Sequence, residues 1–507
     1  MTLQTFLQRR LIHLLGIAAL AFCAIFHCTP LSAQLIPQSG TQRIPRRSIP
    51  YHPASKIQFL PAFNVGDPLT IPAFSFRLIG GGQYQTTTTC RYVGEHCYIF
   101  VEDEIWGTSS VPQTGIESLA QAFDHSTKRD PSLGIYDITT TLFGDPPDVD
   151  GDPRIIIAVL DILDSPITGI TFVGYVDTDN QAPPVSREII YLDANPLAIN
   201  SDLARATLAH EFQHLIHWKA DPDEAKWLDE GCSEYAELAC GYKDTTATAT
   251  EDFLSLASNT DLTDWEDQFF DFDQTYLWMA YFVQRYGESA LRTLVADPDS
   301  SIVSVNNTLQ SLNVPERFDH LFGQWSAAIY LDKTNNLGFN DIVLAPVKRD
   351  SLSVPSADVS RLAFLWGVDY LAPSSISDLA LTIHPNGNNN LLVTLISDGK
   401  QPFAAPLSVQ SGQTKRIHAS GNTALAITST SGTAVGYTLS VSERASGTAT
   451  DFNGDGEVGF TDFLAFTAGF GKKANEVGFD PTFDLDKDLQ ISFSDFLSFV
   501  QDFGKTF

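Results

Sequence analysis

Residues 201–218, Ser-Asp-Leu-Ala-Arg-Ala-Thr-Leu-Ala-His-Glu-Phe-Gln-His-Leu-Ile-His-Trp, contain neither proline nor glycine and repeat apolar residues at helical spacing. That pattern predicts one uninterrupted helix. Its two histidines, His210 and His214, are four apart and therefore stack on one face, a turn from each other. Two neutral imidazoles so placed suit a single Zn²⁺ at about 2.0–2.1 Å each. Glu211 lies about 100° further round, beside such an ion, where a carboxylate takes a proton from a polarised water.

His-Glu-x-x-His is a short pattern, and its context has to supply a third ligand. Ala220-Asp-Pro-Asp223 breaks the first helix, and 224–238 reads as a second one. Near its start Trp227-Leu-Asp-Glu-Gly places Glu230 sixteen positions after His214. Glu230 completes a two-His, one-Glu set that leaves a fourth position for water. Glu234, one turn on, is expected to accept the free ring N–H of a zinc histidine. His217 is seven residues from His210, about 10.5 Å along a helix, so the two cannot share one ion. Metzincins would need Gly at 217 and His at 220; this chain has His217 and Ala220.

These residues resemble those of the gluzincin metallopeptidases, whose aminopeptidase branch has a similar Trp-Leu-Asn-Glu-Gly segment after a slightly longer gap. The resemblance is stronger to the secreted hyicolysin-like peptidases. Thr207-Leu-Ala-His-Glu-Phe-Gln-His, Trp227-Leu-Asp-Glu-Gly and Tyr276-Leu-Trp-Met-Ala-Tyr-Phe-Val-Gln-Arg-Tyr-Gly all look like that group. It covers roughly residues 90 to 335. It implies an α+β, thermolysin-like core with one catalytic Zn²⁺ on His210, His214 and Glu230, and Glu211 as general base. Several gluzincins stabilise the oxyanion with a tyrosine. Tyr276 stands at about the right distance, Phe272 fits the same slot, and Tyr235 beside Glu234 is another candidate. No aminopeptidase signature for a substrate amine is present, so an endopeptidase acting on protein or peptide is expected. The rival from another class is a non-catalytic, calcium-dependent adhesion or scaffold protein on a peptidase fold. The intact Glu211 counts against it.

At 507 residues the chain is long enough for three or four parts. A net charge of −30 repels phosphates and argues against nucleic acid. Arg9-Arg10, an apolar run over 11–26 and Leu31-Ser-Ala33 read as a signal peptide over 1–33. That implies a secreted or cell-surface protein with no membrane span in the mature chain. Residues 34–60 are proline-rich and carry Arg43, Arg46 and Arg47, as a linker, propeptide or extended arm. The peptidase domain is expected over 61–335, with strands over 154–161, 170–177 and 188–193 ahead of the helices. Its substrate would lie extended between an edge strand and the zinc helix. Cys90 and Cys97 flank a turn at Val93-Gly94, a register that predicts a disulfide. Cys232 and Cys240 stay unassigned. Asp148-Val-Asp-Gly-Asp152 reads first as a solvated acidic turn, with a calcium loop as the alternative.

Residues 336–446 alternate in Leu379-Ala-Leu-Thr-Ile-His and run apolar in Leu391-Leu-Val-Thr-Leu-Ile-Ser, which predicts a β-sandwich. The last stretch, 447–507, contains a repeat. Asp451, Asn453, Asp455, Glu457 and Asp462 recur 33 residues later as Asp484, Asp486, Asp488, Gln490 and Asp495. Each loop runs into a similar helix and ends Phe-Gly-Lys. Oxygen-bearing residues at loop positions 1, 3, 5 and 12 with glycine at 6 suit Ca²⁺, so two calcium sites are expected, in a small all-α pair of EF-hand-like units. The module resembles a type I dockerin, which implies attachment to a cohesin-like or cell-surface partner. Two departures stand out: Leu489 replaces the second loop's glycine, and Phe460 and Phe493 occupy position 10, where cellulosomal dockerins carry recognition residues.

Overall fold

The computed structural model describes residues 36–45, 60–165, 169–334, 336–374, 379–419, 422–443 and 449–507. The signal-peptide expectation over 1–33 and most of the arm lie outside them. No helix among the described residues is long and apolar enough to cross a membrane.

The first unit is built on a seven-stranded sheet. Its strands are β1 (Ile36–Ser39), β2 (Pro68–Ser75), β3 (Gly82–Val93), β4 (Cys97–Glu102), β5 (Ile155–Leu160), β6 (Ile170–Val176) and β7 (Ile189–Asp193), in the order β1-β6-β7-β5-β4-β3-β2. Ile155-Ile-Ile-Ala-Val-Leu160 is buried throughout, because both faces of the sheet are covered. On one face Tyr98, Phe100, Ile156, Ala158 and Leu160 pack with Cys90 and Ile71. On the other, Cys97, Ile99, Val101, Ile157 and Val159 meet the helices.

Two of those helices, α1 (Gln113–Asp124) and α2 (Ile135–Phe143), lie between β4 and β5, so the strands do not all precede the helices as the sequence reading had them. The zinc-motif helix α3 (Asp202–Ala220) follows β7 and is capped by the Ser201 hydroxyl, which accepts from the Ala204 N–H. Then come α4 (Lys226–Ala239), α5 (Glu251–Leu256), α6 (Phe269–Tyr286), α7 (Glu288–Val295), α8 (Ile302–Ser311) and α9 (Phe318–Leu331). Gly174 in β6 lets α3 come close to the sheet. A Cβ there would stand 2.5 Å from Thr207 Cγ2 and 3.3 Å from Glu211 Cγ.

The expected Cys90–Cys97 disulfide is not formed; all four described cysteines are free and buried. The register slips between Cys90 and Tyr92, so Cys90 faces Phe100 instead of the turn-closing position. The slip leaves Cys90 and Cys97 in the cores on opposite faces of the sheet. The acidic turn at 148–152 is not solvated either. Asp150 and Asp152 are buried, and they pair with Arg187 and Arg154.

A two-sheet sandwich follows, built from β8 (Asp350–Leu352), β9 (Ser356–Phe364), β10 (Asp369–Pro373), β11 (Leu379–Pro385), β12 (Leu391–Ser397), β13 (Phe403–Val409), β14 (Lys415–Ala419), β15 (Thr423–Ser429) and β16 (Ala434–Glu443). Their orders are β13-β12-β15-β10-β8 and β14-β11-β16-β9. Residues 336–349 belong with the first unit. There Val343 N–H donates to Thr245 O and Lys348 N–H to Leu254 O. The outer face of the five-stranded sheet, with Leu392, Ile396, Ala404 and Ala426, is continuous with the core of the first unit. The sandwich interior is continuous with Phe452, Phe479, Phe483 and Phe499 of the C-terminal unit. That unit carries α10 (Phe460–Gly469) and α11 (Phe493–Asp502). Its halves interlock crosswise: Val458 pairs with 504–505 after α11, and Ile491 with 471–472 after α10.

Candidate metal centre

His210, Glu211 and His214 are fully inside the protein on α3, and Glu230 is 0% exposed on α4. The two helices bring His210 Nε2, His214 Nε2 and Glu230 together. The nitrogens are 3.2 Å apart; Glu230 Oε2 is 3.3 Å from the first and Oε1 3.4 Å from the second. Tetrahedral ligands at about 2.05 Å from one ion sit about 3.3 Å apart, so this triangle is the size a zinc ion needs. Apart from those imidazoles, neither oxygen of Glu230 has a hydrogen-bond partner among the described residues. A buried carboxylate left that way is costly without a cation. Burial alone would raise the Glu230 pKa, but the two histidines outweigh it and hold the group at about 2. Burial likewise opposes charge on His214, yet Asp229 and Glu230 lift it to about 10. Without a metal the site therefore holds protons where a divalent ion fits.

Each imidazole is held from behind. His214 Nδ1 is 3.1 Å from Asp229 Oδ1, and His210 Nδ1 is 3.0 Å from Glu237 Oε1. With Nδ1–H donating to the carboxylate, each Nε2 keeps its lone pair for the ion. Glu234, expected in this role, stands 3.5 Å from His210 Nδ1 and pairs with Lys243. The helical phase favours Glu237, seven residues after Glu230. His217 reaches Asp229 Oδ1 at 3.1 Å, so it steadies the carboxylate behind His214.

Glu211 faces β6. Burial is the main cause raising its pKa, countered by His210, His214 and the hydroxyls of Thr41 and Ser39. The pocket in front of His210 and Glu211 is walled by Val173, Thr207, Phe269 and Phe272 and by Gln38 and Ser39. Tyr276 is not on that wall. It is buried in the core, its ring lies under Lys243, and its hydroxyl has no hydrogen-bond partner among the described residues. Tyr235 is half-buried against the same core.

Residues that sequence reasoning missed are Asp229, Glu237, Lys243 and the arm residues 38–43. Asp229 was in view inside Trp227-Leu-Asp-Glu-Gly, and Glu237 lies at helical spacing from Glu230. The arm offered a single signal, a basic residue in an acidic chain: Arg43 pairs with Asp267.

In the C-terminal unit, Asp484, Asp486 and Asp488 bring carboxylate oxygens within 4.8 Å of one another. Burial is the main cause lifting Asp484 to about 6, with Asp495, Asp488 and Asp486 adding to it. The two loops share one backbone geometry. Asp462 accepts from the N–H groups of 452, 453 and 459, and Asp495 from those of 485, 486 and 492. Gly456 has φ +87° and Leu489 φ +69°, so the second loop keeps the glycine conformation without the glycine. Asn453, Asp455, Glu457 and Gln490 stand at the remaining loop positions, with the first three exposed.

No family model matches the chain. Among solved structures it overlaps the pre-peptidase C-terminal domain of a collagenase from Bacillus anthracis, at 12% identity over 19% of this chain and 97% of that one, with a TM-score of 0.16. It also overlaps a 4-O-methyl-α-glucuronidase at 12% identity, over 48% of this chain and 30% of that one, with a TM-score of 0.10. Neither overlap bears on the fold. In sequence the chain is 22% identical, over 328 residues, to the neutral metalloprotease ShpI of Staphylococcus hyicus. With 60% of this chain and 67% of that protein matched, a metalloprotease is what this chain is similar to.

Proposed function

We propose that the protein is an exported zinc-dependent endopeptidase of the gluzincin type. The observation that carries this is the buried triangle of His210, His214 and Glu230, of zinc dimensions, with Glu211 beside it. Zn²⁺ held there supplies Lewis acidity, polarising a carbonyl and acidifying water. Glu211, its pKa raised by burial, takes the proton of the attacking water and delivers it to the leaving amine. Asp229 and Glu237 keep both imidazoles in the ligating tautomer. Tyr276, the tyrosine expected at the oxyanion, lies in the core away from the pocket wall, and no oxyanion role is assigned to it. The residues over 1–33 support export. The repeated loops support two Ca²⁺ ions on Asp451, Asn453, Asp455, Glu457 and Asp462, and on Asp484, Asp486, Asp488, Gln490 and Asp495, in a dockerin-like module that attaches the enzyme to a cohesin-like or surface partner.

Metal analysis combined with a peptidase assay tests the catalytic reading. Native protein should hold about one zinc, and Glu211→Gln should keep it while turnover falls by roughly 10²-fold or more. Undiminished cleavage of casein by Glu211→Gln would remove the proposed base.

A further inference from the structure

Strand β6 runs beside the zinc-motif helix, and its outer side is covered by residues 36–43 of the same chain, whose strand β1 forms the edge of the sheet. β1 pairs with β6 in parallel, with Gln38 against Phe172 and Ser39 against Gly174. Gly40 N–H donates to Gly174 O at 2.9 Å. From that seat two hydroxyls reach the proposed base. Ser39 Oγ donates to Glu211 Oε1 at 2.8 Å and Thr41 Oγ1 to Oε2 at 2.6 Å. Thr41 Oγ1 is itself oriented by the N–H of Val176 at 2.9 Å. Both oxygens of Glu211 are thus engaged, and Gln38 and Ser39 wall the pocket in front of it.

The arm continues across the second helix of the site. Gln42 Nε2 donates to Asp229 Oδ2 at 2.8 Å, the carboxylate that also holds His214. Lys226 Nζ donates to Gln42 O at 3.1 Å. Arg43 and Gln38 both engage Asp267. A chain adding to a sheet edge through its backbone, with side chains dropping into alternate pockets, is how an extended peptide is bound. A general base whose two oxygens each already accept from a fixed hydroxyl is a weaker acceptor for the proton of a water.

We propose that residues 36–43 are a built-in occupant of the peptide-binding edge, holding the site closed until they are displaced or removed. This rests on the peptidase reading above. The edge of β6, with Asp267 and Asp229 beyond it, takes an extended peptide carrying a basic side chain where Arg43 lies.

The test uses the full chain. A Cβ at Gly40 would stand 2.4 Å from Phe76 Cζ, so Gly40→Val unseats the arm without touching the zinc triangle. The double variant Ser39→Ala/Thr41→Val removes the two hydroxyls that tie the arm to Glu211 and so loosens it from the site. Both should hydrolyse a quenched fluorescent peptide about tenfold or more faster than native protein, since activity scales with the open fraction. A synthetic peptide of residues 36–43 should inhibit Gly40→Val competitively, and its Ser39→Ala/Thr41→Ala form should inhibit far less. Rates at or below native in both variants, with zinc retained, would overturn the proposal and leave the peptidase reading standing. If no form cleaves any peptide, amide exchange over 170–176 decides. Protection lost in Gly40→Val and restored by the added peptide supports the arm's seat while the peptidase reading fails. Unchanged protection overturns the seat as well.

Discussion

The carboxylates behind the histidines are a residue-scale device with a measurable size. Asp229 Oδ1 takes His214 Nδ1 and also His217, while Glu237 takes His210 Nδ1 and the Lys243 ammonium. Replacing either carboxylate by its amide keeps the shape but lets the imidazole turn and weakens it as a ligand. Asp229→Asn and Glu237→Gln should each cost about 10–100-fold in zinc affinity, read by competition with a chromogenic chelator. Glu234→Gln, 3.5 Å from the ring, should cost less than Glu237→Gln. An order reversed between those two would return the role to Glu234. The cluster proposed as the ligand set was legible because His210, His214 and Glu230 lie within twenty-one residues and their geometry follows from helix pitch. Ser39 and Thr41 were not, because they meet Glu211 across about 170 positions of sequence and hydroxyls in a proline-rich arm signal nothing alone.

Elements were read well where they are regular. The zinc helix, Asp202–Ala220, and strands Ile155–Leu160, Ile170–Val176 and Ile189–Asp193 fall within two residues or so of expectation, since both faces of the sheet and the helix are buried. The β3–β4 hairpin was misread because an irregularity after Cys90 shifts the pairing, and a one-residue slip moves a side chain to the other face. The same sheet stores a pH dependence. Glu188, just before β7, accepts from Val149 N–H; burial, with Asp150 and Asp148 adding, pushes it up to about 8 from 4.5. The folded form keeps a proton the unfolded chain releases, so stability falls as pH rises between those values. One such proton sets a slope of at most about 1.4 kcal/mol per pH unit. Glu188→Gln keeps an acceptor for Val149 and should flatten the decline between pH 5 and 8 in urea titrations. An unchanged slope would mean the group titrates normally. In the neighbouring β6, Gly174→Val would force a side chain into Thr207 and should cost about 1–3 kcal/mol by the same measurement.

At the scale of the whole molecule, the sequence shows three modules but not that they are fused. Composition shifts mark the sandwich and the repeat, while the shared cores form from residues far apart in sequence, such as Trp325 with Ile396 and Leu381 with Phe479. The C-terminal unit therefore is not a freely hanging tail. Asn475 accepts from Ala404 N–H at 2.9 Å, Thr482 from His418 N–H at 3.2 Å, and Asp480 pairs with Lys415. Calcium binding at the loops should accordingly stabilise the sandwich with the tail. Binding the folded form alone at about 100 times Kd adds about 2.7 kcal/mol per site. In calorimetry on the full chain, excess Ca²⁺ should raise the melting transition of the sandwich–tail unit, and EGTA should lower it. The proposed zinc site lies on α3 and α4, while the first unit meets the sandwich strands through α9, so peptidase activity well below that transition should survive EGTA. Asp451 and Asp484 also hold their own loop backbones, so their removal would confuse binding with folding. Asp455 and Asp488 are exposed and each accepts from a single backbone N–H, of Glu457 and Gln490, so Asp455→Ala with Asp488→Ala should abolish the calcium shift while lowering the EGTA melting point only slightly. A melting profile indifferent to calcium in native protein would reduce both loops to well-capped acidic turns.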